Sequence, residues 1–260
     1  QFYTMVDSIM VGQFVSQDAL AAVGASYSLT NVFISIAIGG GIGASVLTSR
    51  YFGARSYDRM KGSVQTALLS FLILSLLLAG LGLLCSRQIL LLLNTPANIM
   101  DMATEYLNIY FLGLPFLFLY NVLSAMFNAL GRSRIPLYLL IFSSLFNIAL
   151  DLFLVLVFHM GVSGVPWATL IAQGISAVIS FLLFLRELKR WSHTPQPLFQ
   201  WRELRQMIGI ALPSILQQST VSIGMMLVQS VVNSFGSEVL AGFSAGMRVE
   251  SFVIVPMSAM

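Results

Sequence analysis

The chain alternates between long apolar runs and short polar or basic connections. A helix that crosses the hydrocarbon core of a bilayer needs about 20 mostly apolar residues. Eight runs meet or approach this length, at about residues 1–16, 22–48, 63–85, 104–130, 136–159, 165–185, 206–233 and 239–260. The pattern predicts an all-α polytopic membrane protein.

Some connections and ends have features of their own. Residues 86–103 are predicted as an amphipathic connector between the third and fourth segments, and Pro115 is predicted to kink the fourth. A run of small residues, Gly39–Gly43, lies in the second segment and would let another helix approach closely. Both ends of the sequence fall inside apolar runs, so we expect the chain to be a fragment of a longer protein.

Composition supports the membrane prediction. The chain is 57% hydrophobic and 9% charged, whereas soluble domains have about 45–50% apolar and about 25% charged residues. The single cysteine, Cys85, excludes an intrachain disulfide framework, and the two histidines are too far apart in sequence to indicate a metal site. Because the basic residues fall in particular loops, the positive net charge does not indicate nucleic-acid binding.

The basic loops predict the orientation. Of the 13 Lys and Arg residues, 11 fall in alternate connections, at residues 50–62, 131–135 and 186–205. Basic loops stay on the cytoplasmic side of a membrane protein. We therefore expect a multi-pass protein of the cell (inner) membrane with these three loops in the cytoplasm.

Two acids lie inside apolar segments. Asp151 is the only ionised side chain between Arg134 and Arg186. A charge at such a depth costs at least ~2.5–3.5 kcal/mol, so it marks a functional site by default. Asn147 precedes Asp151 by four residues and so shares its helix face. Asp7, in the first segment, is predicted to lie as deep as Asp151, about 12–14 Å below the outer surface.

An internal repeat relates the two ends of the chain. Residues 18–25 resemble residues 238–245 at an offset of 220 positions. Six segments separate the matching elements, which predicts two six-helix lobes in parallel orientation. The prediction assigns residues 1–190 to an N-terminal lobe, 191–205 to a cytoplasmic inter-lobe loop and 206–260 to the start of a C-terminal lobe.

Several motifs together resemble the multidrug and toxic compound extrusion (MATE) family. They are residues 5–12, 19–24, 50–54, the Asn147 and Asp151 pair, and residues 164–169. Some members of the family have an acid in the seventh helix, where this chain has Gln217 and Gln218 and no acid from residue 206 to 237. The resemblance is therefore to the DinF-like branch, whose coupling site lies in the first lobe.

The resemblance implies a set of site residues. Those implied for Na⁺ or H⁺ coupling are Asp7, Asn147, Asp151 and Thr169. Their oxygen atoms suit a small hard cation such as Na⁺, and the same carboxylates could bind a proton instead. The residues predicted to line the cavity are Tyr27, Asn31, Gln173 and Gln217.

The resemblance also implies a function. It implies a cation-coupled antiporter that exports organic, often cationic, drugs and toxic compounds by alternating access. We expect no enzymatic activity and no cofactor beyond the coupling ion. The expected partners are the lipid bilayer and small organic substrates, and the expected oligomeric state is a monomer.

Three other functions share some of these features. A lipid-linked precursor flippase of the same superfamily would be expected to have a more cationic cavity. An intramembrane aspartyl protease also needs two acids, but in Tyr-Asp and Gly-x-Gly-Asp contexts that Asp7 and Asp151 lack. The repeat and the paired acids argue against a receptor or a purely structural bundle.

Overall fold

A computed structural model describes residues 11, 15–93, 95–191 and 195–233. Within these ranges the structure is helical and contains no strand. The long helices are α1 (Gln17–Gly53), α2 (Tyr57–Leu92), α3 (Met100–Ala129), α4 (Arg134–Leu152), α5 (Gly164–Trp191) and α6 (Trp201–Asn233). A π-helical turn, Phe153–Val157, continues α4, and a short 3-10 turn, Gly161–Ser163, leads into α5.

The membrane prediction agrees with the length and composition of these helices. In the described part of the chain, five helices, α1 to α5, are long and apolar enough to cross a bilayer. The sixth, α6, is 33 residues long but has a polar run at residues 217–222. The eighth predicted segment lies outside the described residues.

The helices extend further than the apolar runs predict. Residues 86–92, predicted as a connector, belong to α2, where Leu90 is fully buried in the core beside Ile99 and Met100. Residues 186–191 continue α5, and α6 begins at Trp201, five residues before its predicted start. A helix does not have to end where the hydrocarbon layer ends, because packing against neighbouring helices stabilises its polar turns.

The centre of the bundle is α3, which packs against α1, α2 and α5. Leu107, Phe111, Leu114 and Phe118 lie three or four residues apart, on one face of α3, and all are fully buried. The helix continues through Pro115, which lacks the N–H group that an uninterrupted helix would use. The core of the first five helices is thus built around one helix.

Other helices keep large apolar side chains on the outside. Leu77 and Leu84 of α2 are 61% and 77% exposed, and Leu145 of α4 is 66% exposed. In water such surfaces would be unfavourable, whereas lipid tails accommodate them. These faces of α2 and α4 are therefore expected to contact lipid.

The close approach predicted at the glycine run is confirmed between α1 and α6. A Cβ atom at Gly39 would lie 2.7 Å from the backbone N and Cα of Ile215, and one at Gly43 would lie 2.7 Å from the Cβ of Ala211. Only the absence of side chains lets the two backbones come this close. The contact joins the first lobe to the helix that we predict to begin the second.

A polar contact joins the same two helices near their basic ends. The hydroxyl of Tyr51 in α1 donates to both carboxylate oxygens of Glu203 in α6, at 2.9 and 3.1 Å. Glu203 is only 5% exposed, so this hydroxyl takes the place of water around its carboxylate.

Replacing Tyr51 by Phe removes the hydroxyl that donates to the buried carboxylate of Glu203. The expected loss of stability is about 1.5–3 kcal/mol, as for other hydrogen bonds to charged groups. The measurement is the thermal unfolding midpoint of the purified protein. Tyr138→Phe, at a position that is 66% exposed, serves as the control. An equal shift in both variants would show that the Tyr51 contact contributes nothing specific.

Candidate functional site

The buried polar face of α4 forms the centre of the candidate site. Asn147 is 3% exposed and Asp151 is 0% exposed, whereas Leu145 and Leu152 on the same helix are 66% and 41% exposed. Both carboxylate oxygens of Asp151 are inaccessible to solvent. The polar side of α4 therefore points into the bundle and its apolar side points outward, as expected of a functional acid in a membrane.

A hydrogen bond connects this face to α5. The side-chain amide of Asn147 donates from Nδ2 to Oγ1 of Thr169, at 3.3 Å. Thr169 is half-buried, and Gln173, one turn further along the same face of α5, is half-buried too. The structure thus brings Asn147 and Thr169 together, with Asp151 one helical turn away.

Thr169→Val removes the acceptor of this bond while keeping the shape of the side chain. Interhelical hydrogen bonds in membranes contribute about 0.6 kcal/mol on average and about 1.7 kcal/mol at most, so a small loss of stability is expected. Thr169→Ser keeps the hydroxyl and should stay close to the wild type. Thermal unfolding of the two variants side by side measures the difference, and equal midpoints would count against the bond.

The helix changes its winding directly after the acid. Residues Phe153–Val157 form a π-helical turn, in which the amide of Phe158 donates to the carbonyl of Phe153 at 3.3 Å. Such turns are rare and occur frequently at functional sites. The hydropathy of the segment, which is uniformly apolar, gave no sign of this turn.

An apolar cluster lies on the outer side of the acid, by the predicted orientation. Val155 is 4% exposed and packs in one cluster with Val11, Ala19, Val162 and Val165. The cluster covers the helix one turn beyond Asp151. The carboxylate therefore has an apolar neighbourhood on this side.

Asp7, the other predicted acid, lies outside the described residues. Within them, no group of three or more His, Cys, Asp or Glu side chains is placed to hold a metal ion. The oxygens of Asp151, Asn147 and Thr169 are a carboxylate, an amide and a hydroxyl, which are the ligand types that hard cations use. The described part of the site therefore fits Na⁺ in chemistry, as it fits a proton on the carboxylate.

The remaining predicted cavity residues belong to a different pair of helices. Tyr27 and Asn31 lie one turn apart on α1, where Tyr27 is 56% exposed and Asn31 is half-buried. One turn further, the hydroxyl of Ser35 lies 2.7 Å from that of Ser222 in α6. Gln217, also in α6, is exposed. The predicted site residues that the structure describes thus lie either on α4 and α5 or on α1 and α6.

Comparison with known proteins gives the family. The MatE family model matches residues 1–153. The chain is 30% identical over 258 residues to the probable multidrug resistance protein YpnP of Bacillus subtilis (strain 168), and this match covers 99% of the chain and 58% of that protein. It is also 30% identical to the probable multidrug resistance protein YoeA of the same organism, covering 97% of the chain and 56% of that protein.

A solved structure shares the fold. The inward-facing conformation of a multidrug resistance MATE family transporter matches 98% of this chain with a TM-score of 0.85 at 23% identity. The match covers 58% of that transporter, so the chain spans somewhat more than half the length of these three relatives. The matched family model, the two Bacillus proteins and the shared fold lead to one conclusion: the chain belongs to the MatE family of multidrug and toxic compound extrusion transporters.

Proposed function

We propose that the full-length protein is a cation-coupled antiporter that exports organic, often cationic, compounds across the cell membrane. The observation that carries this proposal is the buried pair Asn147 and Asp151 on one helix, of which Asn147 donates a hydrogen bond to Thr169 on the next. A buried carboxylate is costly unless a cation or proton compensates it. The names of the two Bacillus relatives, both probable multidrug resistance proteins, agree with the export of drugs.

The coupling ion is proposed to bind at Asp7, Asn147 and Asp151. Val11 and Val155, each four residues after one of the two acids, lie in the same cluster. This common cluster supports the proposal that the acids share one depth and one cavity. An arriving Na⁺ or H⁺ neutralises the carboxylates, and the packing of the helices around them changes in response.

Alternating access is proposed to involve the contact between α1 and α6. On their basic halves the two helices are closely packed through Gly39 and Gly43, and Tyr51 bonds Glu203. Opening towards the cytoplasm requires these contacts to separate. The proposed coupling site lies in the first lobe, as in the DinF-like branch. Among the described residues of α6, Glu203 is the only acid, and it lies in the first turn of the helix.

The test measures the accumulation of a fluorescent organic cation in cells that lack their own efflux pumps. Cells that produce the full-length protein should accumulate less dye than cells with an empty vector. Accumulation is then measured under a Na⁺ gradient at constant pH and under a pH gradient without Na⁺. The gradient that lowers accumulation identifies the coupling ion. Accumulation equal to the empty vector under both gradients would overturn the proposal and favour the flippase alternative.

A further inference from the structure

A small cavity lies where α5 ends on the basic face of the bundle. It has a volume of about 270 Å³ and is lined by Arg132, Glu187, Arg190 and Trp191. Arg132 comes from the connection between α3 and α4, and the other three come from the last turns of α5. The cavity shares no residue with the proposed coupling site around Asn147 and Asp151.

The cavity is positively charged. The carboxylate of Glu187, a residue only 8% exposed, lies 3.0 Å from the guanidinium of Arg132 and 3.5 Å from that of Arg190. Two guanidinium groups against one carboxylate leave a charge of about +1. Each guanidinium has five N–H donors, so one carboxylate does not use all of them. Glu187 thus brings the two guanidinium groups together at the cavity.

Trp191 forms the rest of the same wall. Its ring packs against those of Phe52 and Tyr57, whose centroids each lie 5.1 Å from it. The indole Nε1 is buried, so Trp191 contributes an aromatic surface to the cavity, and the two guanidinium groups supply the hydrogen-bond donors.

The surface of α5 that leads to the cavity is suited to lipid. Ile175, Val178 and Leu182 form an exposed apolar stripe along the helix, and Arg186 and Lys189 continue it at the end. On such a surface the apolar side chains contact the acyl chains of a lipid, and the cations at the helix end contact its headgroup. Arg190, which lines the cavity and is 70% exposed, follows Lys189 directly.

We propose that this cavity binds the phosphate group of an anionic phospholipid from the leaflet on the basic face. Guanidinium groups bind phosphate oxygens through paired, charge-assisted hydrogen bonds. The indole ring of Trp191 forms part of the wall beside them. The glycerol and acyl chains then extend along the exposed stripe of α5.

The test is native mass spectrometry of the purified full-length protein with added phosphatidylglycerol or phosphatidylcholine of identical acyl chains. The wild type should retain phosphatidylglycerol in preference to phosphatidylcholine. The double variant Arg132→Gln, Arg190→Gln should lower phosphatidylglycerol retention by about tenfold, because charge-assisted bonds are the strong ones.

The control removes two positive charges from the same face outside the cavity. Arg202→Gln with Arg205→Gln, both exposed in α6, should leave retention unchanged. An equal loss in the control and in the cavity variant would overturn the proposal, since general attraction to basic surfaces would then explain retention. Unchanged retention in the cavity variant would overturn it as well.

Competition with inorganic phosphate distinguishes a phospholipid from a soluble phosphate compound as the ligand. A lipid site should keep phosphatidylglycerol in the presence of an equal concentration of inorganic phosphate, because the acyl chains add to the binding. Complete displacement by inorganic phosphate would overturn the assignment to a lipid and identify a soluble phosphate compound as the ligand. Melting midpoints measured for every variant identify losses that come from unfolding.

Discussion

Export is expected to fall to the level of the empty vector when Asp151 is replaced by Asn. The substitution keeps the size of the side chain but removes its charge, so the carboxylate can no longer be neutralised by a cation or proton. Because coupling depends on that change, the ion gradient should no longer drive export. Dye accumulation at matched expression measures the effect.

The fold should tolerate this change. Asparagine keeps the volume of the side chain and removes a charge that is costly to bury, so the melting midpoint of Asp151→Asn should not fall. The control is Asp101→Asn, whose carboxylate is 91% exposed and 3.8 Å from Arg87; it should export like the wild type. Full export by Asp151→Asn would show that the proposed site is wrong.

The second large effect is expected at Gly39. An alanine Cβ at this position would lie 2.7 Å from backbone atoms of Ile215, and backbone cannot move aside as a flexible side chain can. The helices α1 and α6 must therefore separate. Overpacking of this kind costs about 1–3 kcal/mol, and a lowered melting midpoint together with reduced export is the expected result.

Gly24→Ala provides the matched control. Gly24 lies in the same helix, but no atom lies within 4 Å of a Cβ built there. Alanine favours helix over glycine by about 1 kcal/mol, so this variant should be as stable as the wild type or more so. If Gly39→Ala behaved like Gly24→Ala, the close packing of α1 on α6 would not exist in the protein.

The sequence predicted those parts of the fold and site that depend on local pattern. Apolar length identified the membrane helices, because the hydrocarbon layer sets it. Helical periodicity placed Asn147 and Asp151 on one buried face, and the cost of a buried charge indicated its importance. The small side chains at Gly39 and Gly43 predicted a close approach, although not that α6 would be the partner.

The features that the sequence did not predict depend on contacts between residues far apart in the chain. The hydroxyl of Tyr51 and the carboxylate of Glu203 are 152 positions apart, and no local pattern relates them. The basic residues of the 186–205 region were interpreted only as determinants of orientation, whereas Glu187 and Arg190 belong to a structured cavity. Asp7 stays a prediction, because it lies outside the described residues.

The π turn after Asp151 has a consequence for how the outer part of α4 can move. In an α-helix each residue turns the chain by about 100°, and a π turn carries one extra residue. Phe153 and Phe158 are five positions apart, yet their rings pack edge to face with centroids 5.1 Å apart. Rewinding this turn as α-helix would rotate one side of the segment against the other by one residue step. If neutralisation of Asp151 were accompanied by this rewinding, the outer end of the segment would rotate without any covalent bond being stretched.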